Sequence, residues 1–269
     1  MIFKNFKKSI IYVGETSDYS DRWLISELKK DFKVYLLSLE DGSVQNKIKS
    51  SIVVNRLYLS AAQRLGQEKV NILRHITNAA KEMINSNKGW ELESDRIRQK
   101  EFFGQDYINT VQFSELKIIK ETDFPMVIKK NGTGRNTKLL ILRNLKDIEK
   151  CEETFILQPL IQQTRCFRTE FVGTWHATFD QYIKIEQRSL SFSKNHAKII
   201  DPLPQSWYNL IRKKILLLNV RAFSIEYFVV DKKPIIIDFN MTSNYSKEFI
   251  VKNPSLYLAW KGLIDEKNI

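Results

Sequence analysis

The stretch Ser224–Asn240 reads SIEYFVVDKKPIIIDFN, two runs rich in β-branched and aromatic residues on either side of Asp231, Lys232 and Lys233. This is the pattern of a β-hairpin closed by a short polar turn. Three oxygen-bearing side chains interrupt the apolar runs: Glu226 inside the first, Asp238 and Asn240 at the end of the second. Side chains alternate between the faces of a strand, so Asp238 and Asn240 project together, and antiparallel pairing can bring Glu226 opposite them. Alone, the three read as the solvated face of a hairpin. What else they could be depends on the rest of the chain.

The chain of 269 residues is long enough to bury a substantial core, as one large domain or two modest ones. Apolar residues make up 43% and charged residues 28%, which is globular composition and argues against disorder. The start of the chain lacks the basic and apolar regions of a signal peptide, and apolar runs such as Ile215–Leu218 are too short to span a bilayer. The expectation is a soluble, cytoplasmic protein with no membrane partner. Cys151 and Cys166 have no paired spacing, and His75, His176 and His196 lie far from one another. Neither a disulfide framework nor a zinc site is indicated, which fits a reducing compartment. The net charge of +12 attracts anions, whether nucleotide, acidic peptide or nucleic acid.

Along the first ninety residues strand and helix patterns alternate. Residues 9–14, 33–39 and 51–55 read as strands, and 19–32 and 69–83 as helices. This rhythm predicts a small doubly wound α/β unit. A further helix follows Asp95 and runs through Phe103. Beyond a soft boundary near residue 110 the rhythm becomes α+β: paired short strands, 126–130 with 138–143 and 155–158 with 168–173, then a helix near 205–218. The organisation read from the chain is therefore residues 1–110 and residues 111–269.

Four motifs in the second region carry chemistry. FPMVIKKNGTG, residues 124–134, is a strand ending in lysines at a two-glycine turn. Such a turn lays backbone N–H groups on phosphate oxygens, and it also occurs as an ordinary hairpin. FILQPLI, residues 155–161, is an apolar strand broken at Pro159, so that edge N–H and C=O groups are free for a ring such as adenine. RCFRTEFVG, residues 165–173, supplies Arg165 and Arg168, whose planar forks suit phosphate. The opening hairpin is the fourth.

In this order the motifs resemble the ATP-grasp ligase superfamily over about residues 94–245, nearest the branch of glutathione synthetase, ribosomal-protein glutamate ligases and microviridin-type macrocyclases. The resemblance implies an ATP-grasp fold with an N-terminal α/β pre-ATP-grasp domain. It implies magnesium at Glu226, Asp238 and Asn240, and ATP contacts at Arg96, Lys129, Gly132, Gly134, Gln158, Leu160 and Ile161. Arg168 and Arg188 are the candidates for the acyl phosphate, with Asn195 and Asn244 behind them. Three departures stand out: Arg96 replaces the usual lysine, Pro159 replaces a glutamate after the hinge glutamine, and the acidic metal ligands are exchanged as Glu226 and Asp238. The implied reaction is ATP-dependent ligation of a carboxylate, such as that of a peptide or amino acid, to an amine or hydroxyl through an acyl phosphate. Two other readings stay open, a nucleotide-binding pseudoenzyme and a basic nucleic-acid-binding protein. No RNA- or DNA-binding motif appears. Homo-oligomerisation is left open.

Overall fold

The computed structural model describes residues 7–37, 48, 51–57, 62, 64–80, 82–131, 139–150, 154–199, 201–241 and 243–266. In the first region four strands, β1 (Ser9–Val13), β2 (Lys33–Leu36), β3 (Ile52–Asn55) and β4 (Glu82–Ile84), form a parallel sheet in the order β2-β1-β3-β4. β1 and β3 carry near-continuous apolar runs because both faces are covered. Ile10, Tyr12, Ile52 and Val54 face one cluster with Leu24 and Leu28 of α1 (Tyr19–Asp31). Ile11, Val13 and Val53 face the other with Val70 and Leu73 of α2 (Gln67–Asn78). The helix expected to run to Met83 stops at Asn78, and Glu82–Ile84 become β4. Met83 and Ile84 gain a parallel strand partner in Val53 and Val54 that a helix would forgo. A short helix that the sequence pattern did not announce, α3 (Asn87–Ser94), precedes α4 (Arg96–Phe103).

Among the described residues the second sheet has nine strands in the order β13-β12-β9-β10-β11-β7-β6-β8-β5. They are β5 (Val111–Gln112), β6 (Met126–Lys130), β7 (Leu139–Leu142), β8 (Phe155–Pro159), β9 (Arg165–Val172), β10 (Trp175–Ile185), β11 (Ser189–Ile199), β12 (Ala222–Val230) and β13 (Lys233–Asn240). The expected pairing of β6 with β7 is present, Met126 opposite Leu142. The expected pairing of 155–158 with 168–173 is not. β8 lies between β6 and β5, while β9 forms a hairpin with β10 through a tight turn at Gly173, φ 59°, with Val172 opposite Trp175. The immediate sequence neighbour wins that edge, as short connections usually do.

Helix α5 (Gln205–Leu216) buries Trp207, Tyr208, Ile211 and Ile215 on one face of this sheet. The C-terminal helices α6 (Lys247–Lys252) and α7 (Ser255–Asp265) return to the first sheet, where Phe249, Leu256, Trp260 and Leu263 join the cluster of Ile10 and Leu24. The N-terminal unit thus shares a core with the end of the chain. No helix among the described residues is long and apolar enough to cross a membrane.

Candidate active site

The hairpin β12–β13 turns at Asp231 and Lys232, both with positive φ, and Val230 pairs with Lys233. This two-residue loop matches the right-handed twist of the strands and fixes the register. Glu226 comes directly opposite Asp238, and Ser224 opposite Asn240. On the other side of β12, Glu226 faces Arg168 and Ser224 faces Glu170 of β9. Cross-strand partners share a face, so Asp238, Glu226 and Arg168 form one polar row and Asn240, Ser224 and Glu170 the next.

Arginines neutralise the carboxylates of these rows. Arg168, only 8% exposed, donates Nε–H to Glu170 Oε1 and Nη1–H to Glu226 Oε1, both at 2.7 Å. Burial alone would lower its pKa, but Glu170 and Glu226 outweigh it and raise the value above the ordinary guanidinium. Arg96, at the start of α4, lies 3.5 Å from Asp238 Oδ1. Burial again works against its charge, and Asp238 with the other anions more than compensates. Glu170 is buried, and its Oε2 has no hydrogen-bond partner among the described residues.

Beside these rows a half-open cleft with a cavity volume of about 30 Å³ is lined by Val127, Lys129, Gln158, Leu160, Ile161 and Ile237, among others. Gln158 is buried and donates Nε2–H to Thr110 Oγ1 at 3.0 Å. At Pro159 one side of β8 is paired, with Met126 of β6 opposite it, while on the other side β5 reaches only Ile156 and Leu157; the Leu160 N–H is taken by the Pro125 carbonyl at 3.0 Å. What Pro159, Leu160 and Ile161 supply is apolar wall. At the mouth of the cleft Lys129 is pushed down to about 8, chiefly by burial and then by Arg96, with Asp238 and Glu226 pulling the other way. Cys166, below the same face, has its thiol pKa raised by burial and by Glu226, which keeps it protonated.

The sequence candidates Arg96, Lys129, Gln158, Leu160, Ile161, Arg168, Glu226, Asp238 and Asn240 therefore come together. Gly132 and Gly134 lie outside the described residues, as does the side chain of Asn195. Arg188 is exposed in the turn between β10 and β11, about 20 Å along β10 from the level of Arg168. Asn244 donates Nδ2–H to Asp18 Oδ2 at 3.2 Å and so ties the loop after β13 to the cap of α1.

Among the described residues no three His, Cys, Asp or Glu side chains could by themselves hold an ion. Two facing carboxylates with an amide oxygen nonetheless fit magnesium, which binds through one or two carboxylates and completes its shell with water and phosphate. Asn240 Nδ2–H donates to Asp238 Oδ2 at 3.5 Å, so the amide lies beside the carboxylate.

No family model and no curated protein matches the sequence. Solved structures do match its fold. The macrocyclase MdnC of Microcystis aeruginosa, bound with precursor peptide MdnA, superposes with TM-score 0.70 at 11% identity, covering 96% of this chain and 99% of that one. A RiPP-associated ATP-grasp ligase of Chryseobacterium gregarium, in complex with ADP and a leader and core peptide, gives 0.67 at 12% identity over 97% and 98%. D-alanine–D-alanine ligase of Bacillus anthracis, complexed with ATP, gives 0.58 at 12% identity over 97% and 96%.

The chain has the ATP-grasp fold.

Within the ATP-grasp fold, sequence reasoning missed Glu170, Gln99, Glu93 and Asn85. Glu170 was within reach: two residues after Arg168 on one strand, it must share its face. The other three act through contacts 136 residues or more along the chain, which no local pattern signals.

Proposed function

We propose that this ATP-grasp chain is an ATP-dependent ligase. A substrate carboxylate takes the γ-phosphoryl group of ATP, releasing ADP, and an amine or hydroxyl then displaces phosphate from the acyl phosphate to form an amide or ester. One observation carries the reading: Glu226 and Asp238 stand in register, with Asn240 on the same face, at the lysine end of a cleft walled by Gln158, Leu160 and Ile161. Magnesium held there by Glu226, Asp238 and Asn240 would neutralise phosphate oxygens. Lys129 and Arg96 place positive charge at the same end, and Arg168 is anchored beside them by Glu170 and Glu226. Catalysis by such a site is positioning plus fixed electrostatics, so it needs no nucleophilic cysteine or histidine. Arg188 stays a candidate for acyl-phosphate contact only if closure brings its turn over the cleft.

Two of the fold neighbours are bound to peptides, and the +12 charge suits an acidic peptide as the carboxylate source. Incubation with ATP, magnesium, hydroxylamine and a panel of acidic peptides and amino acids tests the reading. The expected result is ADP release only with the right acid, together with a hydroxamate. Asp238→Ala should lower that turnover by roughly 10²–10³-fold while the far-UV circular dichroism stays native. A stable phosphorylated product would make the protein a kinase on this fold. Nucleotide binding with no ADP released on any acid favours a regulatory nucleotide binder, a reading to which the arginine pairing of both metal-side carboxylates lends support.

A further inference from the structure

Among the described residues β13 is the outermost strand of its sheet, and its outer backbone edge meets no further strand, only an isolated bridge from Tyr107 to Ile236, with the Ile108 N–H donating to the Ile236 carbonyl at 2.8 Å. Glu226 pairs with Asp238 and Ser224 with Asn240, while a bulge at Ile237 shifts the register so that Tyr227 pairs with Ile236; the outward contacts of the strand's end come from residues 236, 237, 239 and 241. A ladder of side chains from the N-terminal half meets that edge. The Tyr107 hydroxyl donates to the Ile237 carbonyl at 3.2 Å. The Phe239 N–H donates to Gln99 Oε1 at 3.0 Å, and Gln99 Nε2–H donates back to the Phe239 carbonyl at 3.3 Å. The Met241 N–H donates to Glu93 Oε2, and Asn85 Nδ2–H to the Met241 carbonyl, each at 3.2 Å. Just past the strand, Arg56 Nη2–H donates to the Ser243 carbonyl at 2.6 Å. An exposed strand edge is ordinarily blunted or covered; here it is paired rung by rung.

Gln99 is the central rung. It is fully buried, and its one amide serves both the donor and the acceptor of Phe239, as a strand residue would. It also donates to the Leu92 carbonyl at 3.1 Å, and its Oε1 lies 2.9 Å from the Tyr107 hydroxyl, whose one hydrogen is shared between Gln99 and the Ile237 carbonyl. One turn earlier on α4, Arg96 pairs with Asp238, and its backbone N–H donates to Asn131 Oδ1 at 3.0 Å, immediately after β6. A single helix therefore touches the strand of Asp238 and Asn240 and the end of the strand of Lys129.

From this we infer that Gln99 is a positioning residue for the metal side of the site. Through Gln99, α4 sets where Asp238 and Asn240 stand relative to Lys129. The inference rests on the nucleotide and magnesium reading above and adds a residue that touches neither ligand. The nearest replacements fall short: asparagine is shorter, methionine leaves the Phe239 N–H and C=O unpaired, and a glutamate carboxylate has no hydrogen to give the carbonyls.

The test is calorimetric titration with ADP, with and without magnesium, on the full chain and its Gln99→Met and Gln99→Glu variants, alongside thermal melts. In Gln99→Met the magnesium-free affinity should stay within about twofold of the wild type, while the tightening by magnesium shrinks about tenfold, as loss of an outer support of a metal site does. Gln99→Glu should recover part of the tightening at a pH low enough to protonate the new carboxyl, which then donates again. Equal loss of affinity with and without magnesium, or undiminished tightening, overturns the inference. Should Gln99→Met not fold, Tyr107→Phe removes one hydroxyl from the same ladder and should reduce the tightening by a smaller factor; no reduction overturns the inference. A wild type that binds no ADP, or binds it without regard to magnesium, overturns the reading on which the inference rests.

Discussion

Lys129 shows how one residue's surroundings set its chemistry. Its free-protein pKa of about 8 lies below the ordinary 10.5, first through burial and then through Arg96. A phosphate group at the cleft mouth prefers the charged form, so ADP affinity should fall as pH rises from 7 to 9, by up to about tenfold per unit above the free-protein value. Stability of the unliganded protein should move the other way. Between about 8 and 10.5 the unfolded lysine holds its proton and the folded one has lost it, so stability gained from this residue rises with pH. Lys129→Met should flatten both profiles, read by ADP titration and by urea denaturation across pH. If affinity is as pH-dependent in the variant as in the wild type, another group sets it. At this scale the sequence was legible: a lysine ending an apolar strand at a glycine turn was visible in VIKKNGTG. Its depressed pKa was not, because burial, and then Arg96 reaching it from a different element, set it.

At the scale of elements, α3 shows why a short helix escaped notice. Two turns long and with Gly89 inside it, it has little intrinsic drive to form. Packing against β13 and the segment before β12 holds it in place. A Cβ on Gly89 would fall 2.3 Å from a Val220 methyl and 2.9 Å from Met241 Sδ. Gly89→Ala should therefore destabilise the protein by about 1–3 kcal/mol, the usual cost of overpacking, despite alanine's better helix propensity. Denaturant unfolding of the variant checks this; a gain in stability would mean that Val220 and Met241 yield freely. β4 and β8 make the same point. Both were decided by which strand edge was open, and for β8 the apolar run was readable while its partners β5 and β6 were not.

Across the whole molecule, a buried arginine of the N-terminal unit, paired with Asp21, also holds the C-terminal part of the chain. Arg56 and Asp21, 1% and 0% exposed, meet at 2.9 Å. The same guanidinium bonds the Ser243 carbonyl and lies over the rings of Tyr245 and Trp260. Arg56→Met should cost about 3–5 kcal/mol by removing the countercharge of a buried carboxylate, and adding Asp21→Asn should return part of that loss. Unfolding midpoints of the single and double variants measure both. The sequence by itself determined the α/β rhythm of the first ninety residues, the hairpin of residues 224–240 and the shared face of Asp238 and Asn240. These follow from backbone periodicity and turn chemistry, which act over a few residues. Only the tertiary structure decided that Arg96 meets Asp238, that Gln99 and Glu93 close the edge of β13, that β9 pairs with β10 and β12, and that the C-terminal helices complete the first sheet's core. Those contacts span up to some two hundred residues, and they are settled by which edges, volumes and charges remain unmatched once the local elements have formed.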